Sequence, residues 1–171
     1  MGVKVLCVDC HEKKPKSTGK KPVQNSYMRM RKGVREDIHP KYSFRSATEA
    51  NFARILESLK FKWKYEERAF TFDHFGYKTK PYVYVMDFEI VKGNQDFPSG
   101  FYEIKGYMTP QSRQKLRRLM KCYPDEAART TVVVYNKYKK KDIEFCKNLG
   151  YRYMLFDALT EKFKPQIATW E

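Results

Sequence analysis

Three side chains that could act together on a phosphodiester occur near the middle of the chain: Asp87, Glu103 and Lys105. Glu103 and Lys105 are two residues apart in an aromatic and apolar segment, and on a strand such residues share one face. Asp87 lies in an earlier apolar segment, and pairing of the two strands would bring its carboxylate beside them. Two carboxylates and an ammonium suit a hard divalent cation bound to a phosphate. The pattern therefore predicts phosphodiester-cleaving chemistry.

Local signals predict the elements that would position these residues. Ser46 followed by Glu49 is a capping-box pattern, and apolar residues at helical spacing follow it. Thr109 before Pro110 is an N-cap with a first-turn proline, and it predicts a helix over 110–123. Alternating or continuous apolar runs predict the strands, and a further helix is expected near the end of the chain. The strands are expected over 62–72, 82–91, 101–107, 130–135 and 151–156, and the further helix over 141–148.

The expected order of elements is α-β-β-β-α-β-α-β. A strand, helix and strand in succession indicate a parallel crossover, whereas the three strands before them read as a meander. We therefore predict an α/β fold with a mixed central sheet flanked by helices. The 171 residues are enough for one domain with a substantial core.

The charge of the chain indicates a polyanionic partner. Lys and Arg number 35 against 20 Asp and Glu, which gives a net charge of +15. Residues 1–45 contain 12 of these basic residues and 4 acidic ones, so they are interpreted as a basic N-terminal arm before a domain over 46–171. The arm is either a disordered tail or a segment that becomes ordered on nucleic acid.

Membrane association is not expected from the sequence. No apolar run approaches a spanning length, and the first residues are too short an apolar stretch for a signal peptide. The sequence therefore predicts a soluble, cytoplasmic protein that binds nucleic acid and no membrane.

The acidic residues lie in motifs that resemble a known family. Val85-Met-Asp-Phe-Glu-Ile90 and Glu103-Ile-Lys105, in this order of elements, resemble the PD-(D/E)xK nucleases, although Met86 stands where that family has proline. Residues 44–56 and the run Tyr102-Glu-Ile-Lys-Gly106 look like phage-encoded endonucleases, which include Holliday-junction resolvases and homing enzymes. The resemblance covers roughly residues 44–135. It implies a restriction-endonuclease-like core, a nuclease domain over 46–171 and, for a phage enzyme, the host cytoplasm.

The resemblance also implies roles for individual residues. Asp87 and Glu103 would bind Mg²⁺ together with the Ile104 carbonyl, and Mn²⁺ could substitute for it. Lys105 would orient the attacking water or help to deprotonate it. Glu49 is a fourth catalytic and metal-binding candidate, because its place on the first helix would let its carboxylate reach the end of the sheet. The alternative role for Glu49 is that of capping partner to Ser46 alone.

Basic residues on the 110–123 helix are candidates for DNA contact. Arg113, Arg117 and Lys121 occur at four-residue steps and would form one stripe, and Gln111 is close in sequence to the acidic strand. The alternative is a solvated helix face. Residues 137–141 contain a second lysine cluster, which we interpret as a solvated loop.

Cys7 and Cys10 have the spacing of half a zinc site. A structural Zn²⁺ would need further ligands, such as Cys122, Cys146 or His39, brought in by folding. The alternative is a pair of unliganded thiols in the arm, and no disulfide framework is expected in a chain of this kind.

The sequence predicts a Mg²⁺-dependent DNA endonuclease that acts on branched DNA or on a specific duplex site. Cutting both strands needs two active sites, so a homodimer or a higher symmetric oligomer is expected. The alternative function is a catalytically inactive basic module that binds DNA or RNA. A pure binder gains nothing from two acids directed at a polyanion, which favours the enzyme.

Overall fold

The computed structural model describes residues 32–72 and 82–171. These residues form nine strands, five α-helices and a short 3₁₀ helix. In chain order the elements are β1 (Gly33–Arg35), β2 (His39–Phe44), α1 (Ala47–Ser58), β3 (Lys62–Tyr65), β4 (Ala69–Phe72), β5 (Tyr82–Val85), β6 (Phe88–Lys92), β7 (Gly100–Lys105), α2 (Pro110–Cys122), α3 (Pro124–Ala128), β8 (Thr130–Val134), α4 (Lys140–Asn148), β9 (Arg152–Leu155), α5 (Phe156–Phe163) and the 3₁₀ helix Lys164–Gln166.

The described part of the chain is a mixed α/β protein built on one five-stranded sheet. The strand order is β3-β6-β7-β8-β9; β3, β6 and β7 are antiparallel neighbours, and β7, β8 and β9 are parallel. The helices α2 and α3 connect β7 to β8, and α4 connects β8 to β9. The predicted mixed sheet and its parallel crossover around the 110–123 helix are therefore confirmed.

Both predicted helix starts have the expected caps. The Ser46 hydroxyl accepts a hydrogen bond from the Glu49 N–H (3.2 Å), and the Thr109 hydroxyl accepts one from the Ser112 N–H (3.0 Å). Pro110 occupies the first turn of α2, where its missing N–H needs no partner. These local signals fix where α1 and α2 begin.

Alternation along β7 divides the side chains between two apolar cores. Tyr102 and Ile104 belong to the core that contains Phe52 of α1, whereas Phe101 belongs to the core that contains Leu116 of α2. Because strand side chains alternate, Glu103 and Lys105 lie on the face of Phe101. The sheet thus presents both charged residues toward the α2 side.

The strands expected over 62–72 and 82–91 are each broken in two. The Glu66 N–H donates to the Asp87 carbonyl (3.0 Å), and the Met86 N–H donates to the Arg68 carbonyl (2.9 Å), where both strands leave the central sheet. Glu66 adopts a positive φ of 53° at this break. Beyond it, β4 and β5 form a separate hairpin. The expectation of two continuous strands is therefore wrong, and Asp87 lies at the break. Residues 73–81, between the two predicted strands, lie outside the described residues.

Residues 33–44, assigned above to the basic arm, form the hairpin β1–β2. Phe44 is fully buried, and its ring centroid is 4.8 Å from that of Tyr65. This part of the predicted arm packs against the sheet. Residues 1–31 lie outside the described part of the chain. Two short helices, α3 and α5, were also not expected.

Among the residues that the structure describes, no helix has both the length and the apolar character needed to cross a bilayer.

Candidate active site

The structure brings Asp87, Glu103 and Lys105 together, and we call these three residues the acidic site. Asp87 lies in the break before β6, whereas Glu103 and Lys105 lie on β7. The Lys105 ammonium forms an ion pair with Glu103 Oε1, and its Nζ atom is 3.9 Å from Asp87 Oδ2. The expected pairing of the two strands thus produces one cluster of two carboxylates and one ammonium.

The backbone of β7 holds the Asp87 carboxylate. Asp87 Oδ2 accepts a hydrogen bond from the Ile104 N–H (2.7 Å), although the paired register of β6 and β7 ends at Phe88 and Tyr102. The carboxylate therefore takes the place of the next strand residue in bonding to β7. This bond fixes Asp87 beside Glu103 and explains why the strand break is compatible with a buried acid.

Burial sets the protonation of the acidic site. Asp87 is 6% exposed and Glu103 is 2% exposed. Burial raises the pKa of Asp87 well above its ordinary value, and the charge of Glu103 adds to this effect, whereas Lys105 opposes it. For Lys105, burial lowers the pKa, but the carboxylates of Glu103 and Asp87 outweigh burial and leave it raised. The ammonium therefore stays charged, and with both acids ionised the site has an excess negative charge.

Glu103 Oε2 and the Tyr84 hydroxyl are both buried at this place and neither makes a hydrogen bond of standard geometry, but the Tyr84 and Glu103 side chains interact with each other. Tyr84 lies on β5, and burial, followed by the charges of Glu103 and Asp87, raises its pKa. Lys115 of α2 lies over the Tyr84 ring, with Nζ 5.5 Å from the centroid. Sequence reasoning missed Tyr84. The available signal was a phenol in an apolar strand three residues before Asp87, since buried tyrosine hydroxyls need a partner.

Glu49 serves as a capping residue in this structure. Its Oε1 accepts a hydrogen bond from the Ser46 hydroxyl (2.9 Å), and its Oε2 accepts from the Arg45 N–H (3.0 Å) and the Tyr65 hydroxyl (2.5 Å). The capping role is therefore confirmed. The Glu49 charge also contributes to the raised pKa of Asp87. Glu49 thus acts on the acidic site electrostatically, and its role as a metal ligand stays a prediction.

Glu66 places another carboxylate near the acidic site. Burial raises its pKa, Arg45 opposes this, and the charges of Glu49 and Glu103 add to it. Glu66 Oε1 is 2.6 Å from the Arg45 Nε atom, and the Arg45 side chain is 58% exposed. The positive φ of Glu66 is uncommon for a residue other than glycine and occurs at the strand break that positions Asp87.

The acidic site suits a cation that takes only one or two of its oxygen ligands from side chains. Within residues 32–72 and 82–171, no three or more His, Cys, Asp or Glu side chains converge as a metal-binding group. Mg²⁺ commonly takes one or two carboxylates and completes its octahedron with water and phosphate oxygens. Two buried carboxylates that share one ammonium fit such an ion.

The predicted basic stripe on α2 turns partly toward α4. The Arg113 guanidinium donates to Asp142 Oδ1 (2.6 Å), and the guanidinium groups of Arg113 and Arg117 lie 5.1 and 5.2 Å from the Phe145 ring centroid. Arg113 therefore links α2 to α4. Gln111, Arg117 and Lys121 are exposed, and contact of this stripe with DNA stays a prediction.

The proposed half zinc site of Cys7 and Cys10 lies outside the described residues. Of the suggested additional ligands, Cys146 is buried, and burial raises the pKa of its thiol to about 11. The His39 ring stacks on Tyr42, with centroids 4.2 Å apart. The positions of Cys146 and His39 do not test the predicted zinc site.

Comparison of the chain with protein-family models, with curated proteins and with solved structures finds no match. A functional assignment therefore depends on the geometry and charge of the acidic site.

Proposed function

We propose that this protein is a Mg²⁺-dependent endodeoxyribonuclease of the PD-(D/E)xK type. The observation that carries the proposal is the acidic site, in which two buried carboxylates and one charged ammonium meet. A buried excess of negative charge costs stability unless a cation neutralises it. Hydrolysis of a phosphodiester is the reaction for which this combination of groups is suited.

Each residue of the acidic site has a separate task in this proposal. Asp87 and Glu103 would hold Mg²⁺ together with the Ile104 carbonyl. When bound, the ion polarises a phosphate oxygen and lowers the pKa of a coordinated water. Lys105 keeps its proton, because its pKa is raised by the neighbouring carboxylates once they outweigh burial. It therefore orients the water and stabilises charge on the phosphate oxygens, and it does not act as the base.

The arrangement of elements supports the family. A helix, antiparallel strands β6 and β7, and a helical connection to the parallel strand β8 occur in the order expected for a restriction-endonuclease-like core. The separate hairpin β4–β5 is an addition to that order, and it contributes Tyr84 to the site. The net charge of +15 supports DNA as the substrate.

Cleavage assays on three DNA substrates test this function. Purified protein is incubated with supercoiled plasmid, a four-way junction and single-stranded DNA, each with Mg²⁺ or with EDTA. We expect cleavage of at least one substrate in Mg²⁺ and none in EDTA. Binding without cleavage in either Mg²⁺ or Mn²⁺ would instead support the catalytically inactive module. Sedimentation of the protein with uncut junction would test the expected homodimer.

A further inference from the structure

Three exposed tyrosines lie in the segments that follow β7 and β8. Tyr107, Tyr135 and Tyr138 are 58%, 43% and 75% exposed. Tyr107 follows Lys105 by two residues, and Tyr135 directly follows Val134, which is the β8 partner of Lys105. Lys105 is the last residue of β7 and Val134 is the last residue of β8, so Tyr107 and Tyr135 lie just beyond these two neighbouring strand ends.

Lysines alternate with these tyrosines. The Lys139 Nζ atom is 5.4 Å from the Tyr107 ring centroid, so the segment after β7 contacts the turn after β8. The Lys137 Nζ atom is 5.5 Å from the Tyr138 centroid. We call this surface the tyrosine–lysine patch; it comprises Tyr107, Tyr135, Lys137, Tyr138 and Lys139.

The patch is built on a defined turn. Asn136 Oδ1 accepts a hydrogen bond from the Tyr138 N–H (3.1 Å), and the Asn136 carbonyl accepts one from the Lys139 N–H (3.2 Å). The Tyr135 ring is stacked on buried Phe156, with centroids 6.2 Å apart and planes 23° apart. The turn and the Tyr135 ring are therefore held in place by the fold.

Exposed aromatic rings with interleaved lysines match one class of polyanion. Unpaired nucleotides offer a π-face for stacking and a phosphate for each ammonium. Duplex DNA keeps its bases stacked within the helix, so it offers the patch only phosphates. An apolar protein partner would leave the lysines without counter-charges. The combination thus favours single-stranded DNA over both alternatives.

We propose that the tyrosine–lysine patch binds unpaired DNA nucleotides beside the phosphodiester that is cleaved. The position relative to the cut rests on the proposed nuclease function. The inference deepens that function by assigning its substrate class: DNA with an unpaired stretch at a branch or an end, and not uniform duplex. It also gives the 137–141 lysine cluster a function beyond that of a solvated loop.

Binding measured in EDTA tests the patch without cleavage. Fluorescence anisotropy compares the full chain with the Tyr107→Ala, Tyr138→Ala double variant on a labelled single strand and on its duplex. Since stacking on an aromatic side chain contributes about 1–3 kcal/mol per base, loss of two rings should raise the single-strand Kd at least about 30-fold. The duplex Kd should change less than about twofold, because its phosphate contacts remain.

Two control variants separate stacking from other effects. The double variant Tyr107→Phe, Tyr138→Phe keeps both π-faces and should retain the single-strand affinity. Val91 is exposed near the end of β6 that is away from Asp87. Val91→Ala should therefore change neither Kd. Equal losses on single strand and duplex, loss of affinity in the Phe variant, or no loss in the Ala variant would each overturn the proposal.

Different results would refute the nuclease function and the binding role of the patch. If the full chain cleaves DNA in Mg²⁺ while the Ala variant keeps its single-strand affinity, the patch is refuted and the nuclease is not. If selective single-strand binding needs the tyrosines but no DNA is cleaved in Mg²⁺, the patch stands as a binding surface and the nuclease is refuted.

Discussion

Two clusters of charged residues in this protein differ in how many cationic partners their carboxylates have. The first, which we call the arginine cluster, comprises Arg35, Asp37, Arg54 and Glu171. Arg54 Nε is 2.7 Å from Asp37 Oδ2, its Nη2 is 3.2 Å from Glu171 Oε1, and Arg35 also pairs with Glu171. Hydrogen bonds from the arginines lower the pKa of both acids. Two acids are matched by two arginines, so the cluster joins hairpin, helix and chain end.

The acidic site has the opposite balance. Two acids share one lysine, both acids are buried, and the pKa of Asp87 is raised. The first cluster stabilises the fold with its own charges, whereas the second has one ammonium for two acids, and a bound divalent cation would supply the missing positive charge. Changes in the two clusters should therefore separate stability from activity.

The largest expected effect is on cleavage. Glu103→Gln and Lys105→Met should each lower the rate of DNA cleavage at least about 100-fold, since each removes a charge that acts in the transition state. DNA affinity in EDTA should stay within about twofold. Asp37→Asn in the arginine cluster is the matched control and should keep the rate at 25 °C. A normal rate in Glu103→Gln would remove Glu103 from the proposed mechanism.

Breaking the arginine cluster should affect stability more than chemistry. Arg54→Ala leaves Asp37 without its main partner and removes one of the two arginines that pair with Glu171, so the free energy of unfolding should fall by about 3 kcal/mol. Urea denaturation measures this change. The cleavage rate of the folded fraction should be unaffected, and a loss of rate equal to that of Glu103→Gln would mean that the two clusters are coupled.

Glu49→Gln should lower the cleavage rate about tenfold, because the Glu49 charge acts on the acidic site. The amide keeps hydrogen-bonding capacity at the α1 cap, so Tm should change little. Glu57→Gln on the same helix is the control, since Glu57 accepts a hydrogen bond from Trp63 and not from the acidic site. An unaltered rate in Glu49→Gln would assign Glu49 to the cap alone.

The smallest expected effect is the pH dependence of stability. Because the pKa of Asp87 is raised in the folded state, this residue lowers stability as pH rises from its ordinary value, about 4, through its raised value. Mg²⁺ should therefore raise Tm by about 2–4 °C at pH 8 and by less at pH 5, where protons compete. Asp87→Asn should abolish the Mg²⁺ shift. Thermal scans with Mg²⁺ or EDTA at both pH values measure these effects.

The acids of the arginine cluster should show the opposite sign in the same scans. The lowered pKa values of Asp37 and Glu171 mean that their contribution is complete above about pH 4 and is lost as pH falls through the folded values. Asp37→Asn should therefore lower Tm at pH 7 and lower it less at pH 3. A Tm loss in Asp37→Asn that grows toward acid would contradict this assignment.

Local signals in the sequence were sufficient to predict α1, α2 and the parallel crossover. The caps at Ser46 and Thr109 each depend on side chains within three residues, and alternation along β7 places Glu103 and Lys105 on one face. The juxtaposition with Asp87 followed from strand pairing. These features could be predicted because the caps and the alternation depend on neighbouring residues, and the pairing joins two strands that are consecutive in the chain.

The remaining features depend on contacts between distant residues. The break that positions Asp87 needs the hydrogen bond from Glu66, in a segment whose aromatic residues favour a strand throughout. The hairpin β1–β2 was not predicted, because the many basic residues around Tyr42 and Phe44 indicated an arm. Tyr84 reaches the acidic site only because the hairpin β4–β5 leaves the sheet. No local pattern encodes these three outcomes.

The cleavage rate of end-labelled branched DNA, measured against Mg²⁺ concentration for the wild-type chain and Asp87→Asn, tests the central claim most directly. The acidic site predicts a rate that is zero in EDTA, saturates with Mg²⁺ in the wild type and stays at least about 100-fold lower in Asp87→Asn at every concentration. Equal rates for the two proteins, or a wild-type rate that does not depend on a divalent cation, would contradict it.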